Sequence, residues 1–181
     1  MKRSLIMLIG ASLALGACAT LQRGPVGNAA VPQPAKTVDL DRYLGRWYEL
    51  ARYEAGFQRG CEAVTAEYSR REDGLIRVLN SCRQDSVDGR LRQSEGRARV
   101  EDTATNAKLK VSFFGPFWGD YWVLDHAEDY RWSIVGEPSG RYLWLLHRDA
   151  NPPAAERDAL VRRAAALGYD TNLLRYTRHS R

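Results

Sequence analysis

Between Leu40 and Arg148 apolar and polar residues alternate in short runs, the period-two signature of strands with one buried face. "AKLKVSF" shows it most cleanly, with Leu109, Val111 and Phe113 on one side and Lys108 and Lys110 on the other. "CEAVTAEYS" places Val64, Ala66 and Tyr68 on one face, and "LIRVLN" does the same with Ile76 and Val78. "GRARVED" sets Ala98 and Val100 opposite Arg97 and Arg99. "GRWYELARY", "DYWVLDH", "RWSIVGE" and "RYLWLLHR" complete a series of eight, punctuated by turn signals such as Asp73-Gly74, Asp88-Gly89 and Ser139-Gly140. Eight sequential strands with one apolar face predict an up-and-down antiparallel barrel whose interior is either filled by side chains or holds a small ligand. The pattern alone also admits a sandwich.

After the strands the period changes. "AAERDALVRRAAALG" carries an apolar stripe of Leu160, Val161, Ala164 and Leu167, which predicts a helix packed on the outside of the barrel. Pro152-Pro153 sits at its start with Asn151 as a candidate cap, and Gly168 ends it. "NLLRYT" reads as a short last strand, and no internal repeat or second domain is visible.

The N-terminus follows a different rule. "MKRSLIMLIGASLALGAC" has a basic start, an apolar stretch too short for a spanning helix and a small-residue finish, as secretory signal peptides do. Its end, Leu15-Gly16-Ala17-Cys18, resembles a bacterial lipobox, which implies cleavage after residue 17 and acylation of Cys18. Acyl chains on that cysteine would hold the protein on a membrane. Ala19 rather than Asp follows it, which in the lipoprotein pattern implies a periplasm-facing anchor in the outer membrane. Residues 18–36 are rich in Ala, Gly and Pro and read as a flexible tether, leaving 37–181 as the folded domain. Export also bears on Cys61 and Cys82. In an oxidising compartment, with "CEAVTAEYS" and "LIRVLNSC" folded as a hairpin about "RREDG", the two face each other at its open end. A disulfide there requires one residue to be absorbed in a bulge; two free buried thiols are the alternative.

The formal charge of +5 falls to +3 once Lys2 and Arg3 leave with residues 1–17. The remaining arginines are scattered, so nucleic acid is not the expected partner. No nucleophile elbow, P-loop or dinucleotide fingerprint is present, and His126, His147 and His179 lack metal-ligand spacing. His147 is expected at the surface, and Asp120 and Asp125 in turns. Neither a cofactor nor a metal is expected.

Gly45-Arg46-Trp47-Tyr48 resembles the G-x-W-Y motif that opens lipocalin domains. "VDLDRYL" before it resembles the helical turn that closes a lipocalin barrel. Asp129-Tyr130 is similar to the second lipocalin motif, with Glu128 where Thr is usual, and Arg148 to the arginine of the third. "YLGRWYELARY", "QSEG", "LKVSFFGPFWGDY" and "YLWLLHR" together resemble the bacterial outer-membrane lipocalins, with apolipoprotein D more distant. The likeness spans roughly 37–181 and implies an all-β, eight-stranded lipocalin barrel with one outer C-terminal helix. It also implies that Trp47 plugs the closed end beneath Arg148. Connections then alternate between mouth and base, and the inward positions are Val64, Ala66, Tyr68, Ile76, Val78, Leu109, Val111, Phe113, Tyr121, Val123 and Val135. Such a lining suits a fatty acid or lysophospholipid, and also a retinoid-like or bilin-like ligand. Arg52, Arg59 and Arg92 are candidates for its acidic head. In "FFGPFWGDYW", Phe117 and Trp118 fall at the rim, where they could gate the ligand, touch a membrane or join a homodimer. The alternatives are an envelope lipoprotein with a filled barrel and a lipocalin-fold enzyme acting on a lipid.

Overall fold

The computed structural model describes residues 25–180; the leader and Cys18 lie outside them. A short helix α1 (Leu40–Tyr43) precedes eight strands: β1 (Gly45–Tyr53), β2 (Cys61–Arg70), β3 (Ile76–Gln84), β4 (Leu91–Val100), β5 (Lys108–Ser112), β6 (Gly119–His126), β7 (Trp132–Gly136) and β8 (Leu143–His147). Helix α2 (Ala154–Ala166) and strand β9 (Leu174–Tyr176) follow. Each strand pairs antiparallel with the next, β8 returns to β1, and β1 also pairs β2, so the sheet closes as a barrel. β9 adds to β1 at residues 51–53, outside the closed ring.

The alternation works as a cross-strand code. Where β5 meets β6, Leu109 lies opposite Tyr121 on the inner face and Lys110 opposite Asp120 on the outer one. The outer pair is an ion pair at 2.7 Å, and the Lys108 ammonium lies 4.9 Å above the Trp122 ring. Asp120 and Asp125 are thus strand residues, not turn residues. Asp125 follows a register shift in β6 and pairs with Lys36 and Arg163.

α2 buries Leu160 and Ala164 against Leu50, Leu124, Ile134, Leu143 and Leu145 on the barrel's outer face. Gly168, at φ +92°, lets the chain leave the helix. Asn151 does not cap it; Pro153 occupies that position without a side-chain bond, and the Asn151 amide donates to the Ser180 carbonyl. His147 is buried, contrary to its expected place at the surface, because α2 covers the end of β8. The Asp149 N–H donates to its Nδ1, and its Nε2 lies 3.2 Å from Glu156.

At the base the interior is full. Trp47 is wholly buried and donates from its indole to the Tyr43 carbonyl. The Arg148 guanidinium lies 3.7 Å from the Trp47 ring centre. Its N–H groups donate to the carbonyls of Arg42, Tyr43, Leu44, Arg46 and Tyr130. One cation therefore satisfies the carbonyls at the C-terminal end of α1, which a four-residue helix cannot satisfy itself. Tyr130, at φ +59°, is buried, and its hydroxyl accepts from the Asp39 N–H while His126 stacks on its ring. Asp129 stays exposed and fixes the turn through the N–H and guanidinium of Arg131. Gly45, at φ +88°, is the one residue type that turns α1 into β1 without strain.

Candidate ligand-binding cavity

Above this base the barrel encloses a cavity of about 930 Å³. Its lining includes Val64, Ala66, Tyr68, Ile76, Val78, Leu109, Val111, Phe113 and Tyr121. Val123 and Val135 are buried in the same core cluster as Trp47 and are not among the residues that line the cavity. Alternation gives the direction of a side chain and not its depth along the barrel axis.

One wall carries the polarity that the alternation does not reveal. β4 starts at Leu91, so the "QSEG" segment is strand and pairs with β3. The paired positions run Ile76–Ala98, Val78–Gly96, Asn80–Ser94 and Cys82–Arg92. Asn80, Ser94 and Arg92 line the cavity together with Ser81 and Gln93. The wall grades from aliphatic near the base to amide, hydroxyl and guanidinium near the mouth. No apolar period marks this stretch, because its inward residues are themselves polar.

The floor carries hydroxyls. Tyr121 bonds Tyr68 at 2.8 Å and Tyr43 at 3.1 Å, and Tyr43 bonds Ser133 at 3.0 Å. Burial pushes Tyr43 up to about 12 and also raises Tyr68 and Tyr121 well above their ordinary value. All three phenols are therefore neutral, and each hydroxyl bonds a neighbour. Trp144 and Gln58 close the other side, the indole N–H donating to the Gln58 carboxamide oxygen while the Gln58 amide N–H donates to Glu49.

The three arginines considered for an acidic head separate. Arg52 is wholly buried and engages Glu49, Glu54, Thr177 and the carbonyls of Gln58 and Cys61. These partners hold both Nη groups of the buried guanidinium and leave Nε without one, and Arg52 does not line the cavity. Arg59 is exposed and does not line the cavity, whereas Arg92 does. Nearby, the Cys61–Cys82 disulfide joins β2 to β3, and the expected bulge appears as a register shift between Glu62 and Thr65, with Ala63 at φ +47°. Glu62 is buried. Burial pushes its carboxyl up, but the Arg178 N–H and the Arg175 and Arg178 guanidiniums outweigh that and hold it below 4.5.

The mouth is formed by the connections 54–60, 85–90, 113–118 and 137–142. Phe113, just after β5, packs against the inner core, and Phe114 and Phe117 stand out at 78% and 76% exposure. Trp118 is half-buried beside Arg97 and Arg99, whose guanidiniums lie 5.4 and 4.5 Å from its ring. Phe57, at the mouth end of β1, was not singled out by the sequence pattern because it lies in a single-turn 3₁₀ segment (Gly56–Gln58) outside any alternation. Among the described residues no group of His, Cys, Asp or Glu is arranged to hold a metal ion.

A closed antiparallel barrel, plugged by a Trp–Arg pair and open at one end over an apolar cavity, is the architecture of a lipocalin. The family model for the lipocalin-like domain matches residues 38–179, and the chain belongs to the lipocalin family. Among its relatives, outer membrane lipoprotein Blc of Vibrio cholerae is 39% identical over 160 residues, covering 88% of this chain and 93% of the relative. Mouse apolipoprotein D is 33% identical over 148 residues, covering 81% and 75%. In three dimensions insecticyanin from the tobacco hornworm Manduca sexta superposes with a TM-score of 0.67 at 20% identity, over 85% of this chain and 87% of that one.

Proposed function

We propose that the protein binds single-chain amphiphiles, fatty acids or lysophospholipids, while anchored through acylated Cys18 to the periplasmic face of the outer membrane. The kinship with an outer membrane lipoprotein supports the location. The observation that carries the ligand class is the graded wall of β3 and β4. An acyl chain lies among Ile76, Val78, Leu109 and Val111, where each buried methylene contributes about 0.8 kcal/mol. A carboxylate or phosphate head meets Asn80, Ser94 and Arg92 toward the mouth.

The test is displacement of a fluorescent fatty acid from the delipidated protein by palmitate and by lysophosphatidylcholine. Binding at micromolar concentration or below is expected. Arg92→Ala is expected to weaken palmitate by roughly tenfold, the loss of one charge-assisted contact, with the melting temperature unchanged. No binding of either lipid would overturn the reading.

A further inference from the structure

The described chain joins the barrel at its open end. The N–H groups of Gly27 and Asn28 both donate to the Gly140 carbonyl, at 2.9 and 3.2 Å. Gly140 lies in the 137–142 connection at the mouth. It has φ +65°, and a Cβ there would meet the Asn28 backbone at 1.8 Å, so only glycine lets the two segments lie this close. Two residues on, Tyr142 rests against Phe57, with ring centres 6.0 Å apart. Cys18 precedes Pro25 by seven residues, a reach of about 25 Å at full extension. An acyl anchor on Cys18 therefore keeps the start of the described chain, at the mouth, within about 25 Å of the bilayer.

The mouth is dressed for that neighbour. Phe57, Phe114 and Phe117 are 62%, 78% and 76% exposed, and all three border the cavity opening. A single exposed phenylalanine needs no explanation, but three around one opening form a patch that water disfavours. Charge does not explain the patch. In the mouth connections and at the start of β4, Arg59, Arg90, Arg92 and Arg141 are balanced by Glu54, Asp85, Asp88 and Glu137; of the two arginines against Trp118, Arg99 pairs with Glu101, which leaves Arg97 as a small positive excess. The rim is thus close to neutral, so apolar insertion rather than attraction to anionic headgroups would bring it to a membrane.

We propose that Phe57, Phe114 and Phe117 insert into the lipid leaflet that holds the anchor, so that the cavity opens directly onto lipid. The orientation rests on the acylation of Cys18 proposed above, whereas the insertion itself requires no anchor. The test uses the mature chain carrying Cys18→Ser, which cannot be acylated, floated on a density gradient with phosphatidylcholine vesicles. Co-flotation is expected at low and high salt alike. The triple variant Phe57→Ser, Phe114→Ser, Phe117→Ser is expected to lose roughly tenfold or more of the vesicle-bound fraction, with a melting temperature within about 2 °C of the parent. Three outcomes overturn the proposal: a parent chain that does not float, a folded triple variant that floats equally well, or flotation abolished by salt. Dimerisation that the triple variant abolishes, without flotation of the parent, would assign the patch to a second copy and also overturn it. Fatty-acid binding by the parent in solution is measured separately, so failure of the ligand reading is distinguishable from failure of this one.

Discussion

Around Trp47 the barrel interior is filled by Tyr43, Val123, Val135 and Leu146, whereas above Tyr68 and Tyr121 it is open. The filled end is held by packing, with one guanidinium over one indole. At the open end the wall has no neighbour on its inner side, so dispersion and burial contribute less there. That end is tied along its wall: by the Cys61–Cys82 disulfide, the buried Arg52–Glu49 pair at 2.7 Å, and Glu62 held between Arg175 and Arg178. The Cys61 carbonyl accepts from both Arg52 and Arg175, which joins the covalent and ionic ties in one place. A container cannot stiffen its opening by filling it, and links along the wall are the alternative open to it.

The contrast is testable at both ends. Trp47→Ala is expected to have the largest effect, a loss of about 3–5 kcal/mol in urea unfolding, with the fatty-acid affinity of the folded protein unchanged. A matching fall in affinity would erase the distinction between the ends. Replacing Cys61 and Cys82 by Ala removes a link across 21 residues and is expected to cost about 3 kcal/mol. Unlike the tryptophan change, it should also weaken ligand binding, because the wall it loosens is the cavity wall. Arg148→Ala is expected to cost about 2 kcal/mol through lost carbonyl bonds and the cation–π contact. Arg148→Lys recovers little of this, since an ammonium cannot reach five carbonyls at once. An unchanged melting temperature for Arg148→Ala would remove that residue from the base. The smallest effect concerns acid. Glu62 has a lowered pKa in the fold, so its ionic tie is complete above 4.5 and is lost as pH falls through the lower folded value. The stability difference between the parent and Glu62→Gln should therefore hold at neutral pH and shrink on acidification below 4.5. A difference independent of pH would mean that the tie is not ionic.

The strands were legible because each needs only its own local period. Leu109, Val111 and Phe113 announce their face without reference to any partner. The motif residues Gly45, Trp47, Tyr130 and Arg148 were legible for a different reason: they resemble a known pattern. The polar wall was not legible. Asn80, Ser94 and Arg92 occupy inward positions, but a half-exposed amide in a strand leaves the same trace as one in a loop. Arg52 could not be separated from Arg92 by sequence, because its burial depends on Thr177 and the C-terminal segment, about 125 residues away. His147 is a similar case, since the helix that covers it comes later in the chain. Depth, in Val123 and Val135, depends on where along the axis the packing stops.

The order of strand pairing has a kinetic side. Every strand pairing from β2 to β8 joins neighbours in sequence, and such hairpins form quickly because they close short loops. The seam is different: Tyr48 meets His147 about 100 residues further along the chain. Loop-closure entropy makes that meeting the slow one. Arg148, the next residue, bonds to the carbonyls of residues 42–46 and so clasps the seam once the strands have met. The same guanidinium that plugs the base thus acts late in folding, as the fastener of a curled ribbon.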